Sequence, residues 1–594
     1  RNGGAVKPWG NSKALQYMKV AETEGIPIHT YVFTPGSFPI EDTPGAAQQI
    51  AKNLYEMAGL TVPMVAVFSE GGSGGAEAIS LADRRLYSVI SPEGAAAIEG
   101  RLKPGQRATP ELIERCATQL HITAEDNLQF GYIDRVIQEP SLGARPYHYD
   151  FFRTLRQEII RATDETVLSV RSGMFRGALL RRMSRDDINL DEMYIRWHLS
   201  QGARERLVLR RQKKFLRLSR GAYIDRRPFL NKMRNSMRES WGNISARIKY
   251  ALITKHQRKF AYLMDEMTSE MHLLKRRLTA PFCRIPRDQR PSIEPETVRN
   301  LTTLSDWDEE SESRKGKWTY ISPRAKEDRA ITCPNAGTHG CLDLWSPDLY
   351  GEFAGVCTWC GHHFPMEYQW FVKNVFDEDS VREFNGEVEA SNPLQFEGFD
   401  ARLAEARERT KLKSGCITFE AKLDGTKMIV ALFAGTFRGG SVGSAEGTKF
   451  VEAAELAMKK RYPLLAYVHG TAGIRIQEGT HGVIQMPRCT VAVRRYINAG
   501  GLYTVLYDTN SYAGPVASFL GCSPYQYAMR SSNLGFAGRG VIKETTGIDI
   551  EPHYHSAYKA LARGHIQGVW DRREARANLK QVLLTMGGRN LYYR

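Results

Sequence analysis

The segment Ser69-Glu-Gly-Gly-Ser-Gly-Gly-Ala76 sets four glycines directly behind an apolar run at residues 62–68 and ahead of a helical pattern. At such a strand–helix turn, backbone N–H groups converge and the helix start adds positive potential. Those donors suit a phosphate or a developing oxyanion. A tight connection with no ligand uses the same residues. No Lys-Ser/Thr follows, which excludes a phosphate-binding P-loop.

Cysteines form a second constellation. Cys333, Cys341, Cys357 and Cys360 are spaced C-x7-C…C-x2-C, and the Cys357-Thr-Trp-Cys360 knuckle suits tetrahedral zinc. The first pair is wider than the usual two-residue gap, so His339 is an alternative ligand to one thiolate. Four protein ligands close the coordination shell, which makes the expected zinc structural. The other five of the nine cysteines are scattered, the expectation for each being a buried or neutral thiol. With no disulfide framework, a reducing compartment, the cytoplasm, is expected.

The elements that must position these groups follow from the chain at large. Its 594 residues exceed one core, so three or four domains are expected. No apolar run approaches the ~18 residues of a membrane span. The chain opens Arg-Asn-Gly-Gly, without a signal- or transit-peptide pattern or an initiator Met, and a start inside a longer product is the expectation. Residues 1–145 alternate a helical stretch (46–60), a strand (62–68) and a further β-α step (86–100). The same grammar returns from about residue 415, with strands at 417–423, 427–433, 464–469 and 503–507 and a helix at 448–460. Strands alternating with helices imply α/β layers.

Between these blocks the composition shifts. Residues 151–290 hold 33 Lys/Arg against 14 Asp/Glu, so the net charge of +16 belongs to this segment and the rest sums to about −3. Within an insert at 146–280, the stretches Tyr149–Val170, 204–218 and 250–278 read as helices. Residues 281–330, with an acidic run at 306–312, read as a linker, 331–370 as a metal knuckle and 371–594 as the second α/β block. A basic helical insert binds nucleic acid, docks an acidic partner or presents a solvated face. Its sparse aromatics lower the first reading, and docking of a partner subunit or self-assembly is favoured.

Longer motifs carry a resemblance. Tyr31-Val-Phe-Thr-Pro-Gly-Ser-Phe-Pro39, Ala51-Lys-Asn-Leu-Tyr-Glu-Met57, Glu70-Gly-Gly-Ser-Gly-Gly-Ala76, Ser88-Val-Ile-Ser-Pro-Glu-Gly94 and Gly131-Tyr-Ile-Asp-Arg-Val-Ile137 resemble, in order and spacing, the α subunit of bacterial acetyl-CoA carboxylase carboxyltransferase. Gly439-Gly-Ser-Val-Gly-Ser444, His469-Gly-Thr-Ala-Gly-Ile-Arg-Ile-Gln-Glu478, Asp508-Thr-Asn-Ser-Tyr-Ala-Gly-Pro-Val-Ala-Ser518 and Gly535-Phe-Ala-Gly538 resemble its β subunit, which the cysteine ribbon precedes. The resemblance covers about residues 1–140 and 330–575.

It implies two crotonase-like α/β domains fused in one chain, with the basic insert and zinc ribbon between them. It also implies transfer of a carboxyl group from carboxybiotin to acetyl-CoA, giving malonyl-CoA for fatty acid biosynthesis. Gly74 and Gly75 would face the biotin ureido oxygen, with Gly71, Gly72 and Gly36 lining that side. Ala472 and Gly473 would face the thioester oxygen, with Gly514 in the neighbouring turn. Arg438, Arg475 and Lys543 are candidates for the coenzyme A phosphates, although solvation is the commoner fate of any one of them. Lys459 reads as an exposed helix residue, so biotin would arrive in trans on a carrier protein, with the biotin carboxylase a further separate partner and the chain itself at least a homodimer. The family's Gly-Gly pairs are Ala472-Gly473 and Ala513-Gly514 here, and its Asp before Thr-Pro-Gly is Phe33. Two alternatives stand beside this reading: a decarboxylase or a carboxylase of another short acyl-CoA, and a scaffold or nucleic-acid-binding protein on the same fold.

Overall fold

The structure, a computed structural model, describes residues 4–85, 108–140, 143–171, 197–228 and 318–587, together with Met267, Met271 and Leu274. The Ser88-to-Gly94 motif, nearly all of the stretch read as a helix over 250–278 and the acidic run at 306–312 lie outside the described residues.

In the first block the strand Ile28–Thr34 pairs in parallel with Met64–Gly71, and the helix Ala46–Met57 makes the crossover between them. Parallel neighbours need such a crossover. Ala47, Ile50, Leu54 and Met57 recur at the helical period and are fully buried, which seats that helix. A short strand, Arg84–Arg85, extends the sheet to three strands.

The second block is a seven-stranded sheet in the order Gly568–Trp570, Tyr525–Met529, Tyr503–Tyr507, Leu464–Val468, Thr426–Phe433, Cys416–Leu423 and Arg382–Phe384. The first five strands run parallel; the last two pair antiparallel. Every residue of Leu464–Val468 and Tyr503–Tyr507 is buried, so both faces of the sheet are covered. The hairpin between Cys416–Leu423 and Thr426–Phe433 turns on Asp424-Gly425, both at positive φ, the residue pair a tight two-residue turn favours.

The two blocks share one core. Ile50, Leu54 and Met57 of the first pack with Val516, Phe519, Leu520 and Cys489 of the second. Contacts divide the chain into one compact unit, Arg1–Asp225 with Arg314–Arg594, and another, Arg226–Ser313. This differs from the expected boundary at residue 145. The helix Gln201–Arg217 explains why: Arg211 is fully buried, its guanidinium on Asp83 (2.7 and 3.0 Å) and on the carbonyls of Met57, Leu60 and Val62 (2.6–3.1 Å). Lys214 pairs with Asp134 at 2.6 Å, and Ser219 Oγ meets Ser444 Oγ of the second block at 2.9 Å. The strand Ile224–Asp225 pairs with Val388–Glu389. Arg211 and Lys214 thus spend their charge inside the unit, whereas Arg153, Arg156, Arg161, Arg206, Arg210, Lys213, Arg217 and Arg220 are exposed.

Candidate active site

The turn at 71–75 is built by close backbone approach. Gly72 donates its N–H to the Thr34 carbonyl at 2.7 Å. A Cβ on Gly72 would lie 1.7 Å from the Pro35 oxygen, and one on Gly75 would lie 2.5 Å from the Gly36 carbonyl carbon. Real Cβ contacts do not come that near, so both positions require glycine on steric grounds alone. Gly36 is thus brought against Gly72 and Gly75. The short helix Ser73–Glu77 follows, and the N–H groups of a helix's first turn have no intrahelical acceptor. Gly74 is the exception to the crowding: a Cβ there would meet ring atoms of Phe536 at 3.4 Å, and Phe536 belongs to the second block.

On the second block, the loops that leave successive parallel strands run side by side. Val442 bridges Ile474, and Thr471 bridges Ser511, both in parallel. Gly473 has φ +117°, and a Cβ on it would fall 2.9 Å from the Ala513 methyl. Gly514 is packed against Ile474 and Met486. Ala513, where the resemblance expects glycine, holds φ +62°, a left-handed conformation unusual for alanine and a local strain of order 1 kcal/mol or more. Its N–H donates to the Gly535 carbonyl at 3.2 Å. Gly535 and Phe536 therefore form a strip that touches the Ala513-Gly514 turn at one end and Gly74 at the other.

Three expected assignments change. The N–H of Ala472 donates to the Gly439 carbonyl at 2.9 Å, so it is spent rather than held ready for a thioester oxygen, while the N–H of Gly473 meets only Thr471 Oγ1 at 3.3 Å. Arg475 is fully buried and lines no entry. Its guanidinium meets Glu446 at 2.7 and 3.0 Å, Glu478 at 2.8 Å and the Ser441 carbonyl at 2.8 Å. Burial pushes the Glu446 carboxyl upward, but the Arg475 charge and backbone N–H bonds outweigh it, and the net shift is down. For Glu478 burial prevails, reinforced by the Glu446 charge, and the shift is up. Lys543 is exposed on the helix Arg539–Thr546 and pairs with Asp549 at 3.1 Å. Arg438 is half-buried over the Phe399 ring, next to the Gly439 that receives Ala472. Lys459 is exposed at the end of the helix Ser444–Lys460, as expected.

The four cysteines converge: the sulfurs of Cys333, Cys341, Cys357 and Cys360 all lie within 4.8 Å of one another, and Cys333 Sγ and Cys360 Sγ are 3.6 Å apart. Zn–S bonds of ~2.3 Å in a tetrahedron put sulfurs about 3.8 Å apart, so the set fits zinc. Asn335 Nδ2 approaches Cys360 Sγ at 3.5 Å as an outer donor. His339 is not among the converging groups; its Nδ1 meets the Thr338 hydroxyl at 2.8 Å. The ribbon is tied to the site's loops, because His469 Nε2 donates to the Met366 carbonyl at 2.8 Å and Arg572 bonds the Ala354 and Phe364 carbonyls and Asp508. Metal analysis is expected to give about one zinc per chain, and Cys357→Ser to lose it together with a fall in Tm. A zinc-free chain of unchanged Tm would contradict this.

With this geometry in place, the comparison with known families is specific. Residues 1–176 match the family described as acetyl co-enzyme A carboxylase carboxyltransferase-like. The chain thus carries a carboxyltransferase-like segment, and that segment includes the helix Tyr149–Val170 beyond the expected boundary. Among solved structures, a malonate decarboxylase hetero-dimer from Pseudomonas is 21% identical, covering 37% of this chain and 86% of that one at a TM-score of 0.29. The beta subunit of geranyl-CoA carboxylase from P. aeruginosa is 17% identical (38% and 47% covered, TM-score 0.28), and transcarboxylase 12S is 12% identical (99% and 78%, TM-score 0.28). Likenesses at these TM-scores carry no argument about this chain.

Sequence reasoning did not single out Phe536 or Glu41 as site residues. Phe536 lies in the Gly535-Phe-Ala-Gly538 motif, so a signal existed for it. Glu41 stands alone in a loop between a strand and a helix, and nothing in its spacing distinguishes it.

Among the described residues, no helix is long and apolar enough to cross a membrane.

Proposed function

We propose that the chain is the carboxyltransferase of a biotin-dependent acyl-CoA carboxylase, with both half-sites of a crotonase-like pair on one polypeptide. The observation that carries the reading is the juxtaposition of the 71–75 turn, inside the carboxyltransferase-like segment, with Gly535 and Phe536 of the second block. Carboxybiotin would supply the carboxyl group as CO2, and the acyl-CoA would receive it as an enolate.

Both partners then bear negative oxygen, which is why backbone donors matter more than side-chain acids. Preorganised N–H donors of this kind are worth roughly 3–4 kcal/mol each. On the biotin side the donors would be Gly74 and Gly75, held in place by the contacts of Gly72 and Gly75 with the 34–37 loop. On the acyl side Gly473 and Gly514 would serve, and Ala472 would need to leave the Gly439 carbonyl before it could join them. Arg438 would sit toward the coenzyme A phosphates. The zinc ribbon would hold the loops at His469 and Asp508 without touching substrate.

Acetyl-CoA is the substrate proposed, with a biotin carboxyl carrier protein and a biotin carboxylase as separate cytoplasmic partners and a homo-oligomer as the working form. The test is the reverse reaction, malonyl-CoA with free biotin. Biotin-dependent formation of acetyl-CoA is expected. Decarboxylation indifferent to biotin would point to a decarboxylase, and no turnover beside tight, salt-sensitive RNA binding would replace the enzyme reading altogether.

A further inference from the structure

One buried carboxyl group lies at the junction and takes no part in the glycine turns themselves. Glu41 follows the strand Ile28–Thr34 and is 4% exposed. Its Oε1 accepts the Phe536 N–H at 2.5 Å, across the boundary between the two blocks. Its own backbone N–H donates to the Tyr554 hydroxyl at 3.0 Å. The second carboxyl oxygen, Oε2, is buried without a hydrogen-bond partner and faces Nδ1 of His565 at 3.9 Å.

The other contact of His565 fixes its tautomer. Nε2 lies 2.9 Å from the Asp42 carbonyl, which can only accept, so Nε2 carries the hydrogen. In the neutral imidazole Nδ1 is then a bare lone pair aimed at a carboxyl oxygen. The two repel unless a proton lies between them, and Glu41 as a neutral acid supplies it. Burial acts in the same sense: it pushes the Glu41 carboxyl up to about 7, against the Phe536 N–H and the Arg563 charge, and it pushes His565 down.

The remaining charged and titratable groups around this carboxyl are Asp42, Tyr512, Tyr554, Arg563 and His555. His555 is buried with Nε2 unpartnered, and it closes the far side of Gly535: a Cβ on Gly535 would meet His555 Nε2 at 2.8 Å and Glu41 Oε1 at 3.1 Å.

We propose that Glu41 is a positioning residue for carboxyl transfer, whose carboxyl clamps Gly535 and Phe536 against the 71–75 turn and so fixes the spacing of the two half-sites. Its effect on rate rests on the transfer reading above; the clamp itself does not. Releasing the Phe536 N–H would free both the ring over Gly74 and the carbonyl that receives Ala513. The folded state raises this carboxyl above its ordinary 4.5, so its contribution to stability is full below about 4.5 and is lost as pH rises through about 7; the Phe536 N–H, which favours the ionised form, keeps its acceptor throughout.

The test combines amide hydrogen exchange at Phe536 with kcat as a function of pH for the wild type, Glu41→Ala and Glu41→Gln. Glu41→Ala is expected to cut Phe536 protection and kcat by about tenfold or more, with KM little changed. Glu41→Gln keeps an acceptor for Phe536 and places an amide N–H where the carboxyl proton points. It is expected to restore the protection and the rate that Glu41→Ala loses. Unchanged Phe536 exchange in Glu41→Ala, or protection lost equally in Glu41→Gln, would overturn the proposal. If the wild type shows no turnover, the transfer reading fails, while the exchange arm still supports or overturns the clamp.

Discussion

Replacing Arg475 by Ala is expected to cost about 3–5 kcal/mol of stability, the usual penalty for breaking a buried ion pair from one side. The loss comes from what remains behind. Glu446 and Glu478 are both fully buried, and one guanidinium balances the two. Without it, two carboxylates would face each other with no cation between them, held by backbone N–H donors from Gly415, Gly443 and Ser444 and by the Ser444 side chain. Arg475→Lys is expected to recover only part of the loss, because an ammonium cannot reproduce a planar fork that bonds two carboxylates and a carbonyl together. Urea unfolding at neutral pH measures both variants. A loss below about 1 kcal/mol, the range of exposed pairs, would mean that the cluster is solvated.

Gly75→Ala carries the second large effect, this time on activity. Its methyl would sit 2.5 Å from the Gly36 carbonyl carbon and 2.7 Å from the Ser37 nitrogen, both backbone atoms that cannot swing aside. Either the 34–37 loop or the glycine turn must move by a substantial fraction of an ångström. Misplacement on the scale of 1 Å costs about 100-fold in a positioned reaction, and that is the expected loss in carboxyl transfer. Gly74→Ala is the internal control. Its methyl meets the Phe536 ring at 3.4 Å and Ile50 Cδ1 at 3.9 Å, near ordinary van der Waals contact, and a far milder loss is expected. Equal losses in the two variants would point to a general effect of alanine on the turn rather than to the backbone clash.

Much of the α/β layering is legible in the sequence because it rests on local periodicity. The stretch read as helical over Tyr149–Val170 is a helix with those ends, and the strands expected at 417–423 and 427–433 are Cys416–Leu423 and Thr426–Phe433. The cysteine ribbon is legible for a similar reason, since its ligand spacing is a local signal. Arg475 was misplaced because its partner Glu446 lies 29 residues upstream, and no spacing rule shows that a loop and the first turn of a distant helix will bury the pair. That the compact unit continues past residue 145 to Asp225 has the same kind of cause. A change to basic composition suggests a new domain, yet Arg211 and Lys214 spend their charge on Asp83 and Asp134 more than 75 residues earlier. Glu41 and Phe536 meet across 495 residues, a contact that only the tertiary fold creates.

The most direct test of two half-sites on one chain is amide hydrogen exchange with each ligand added separately. Free biotin is expected to protect the 71–75 turn, and a non-hydrolysable acyl-CoA analogue to protect the segments around Gly473 and Gly514. Protection of one and the same segment by both ligands, or of neither segment by either, would contradict a carboxyl transfer shared between the two blocks.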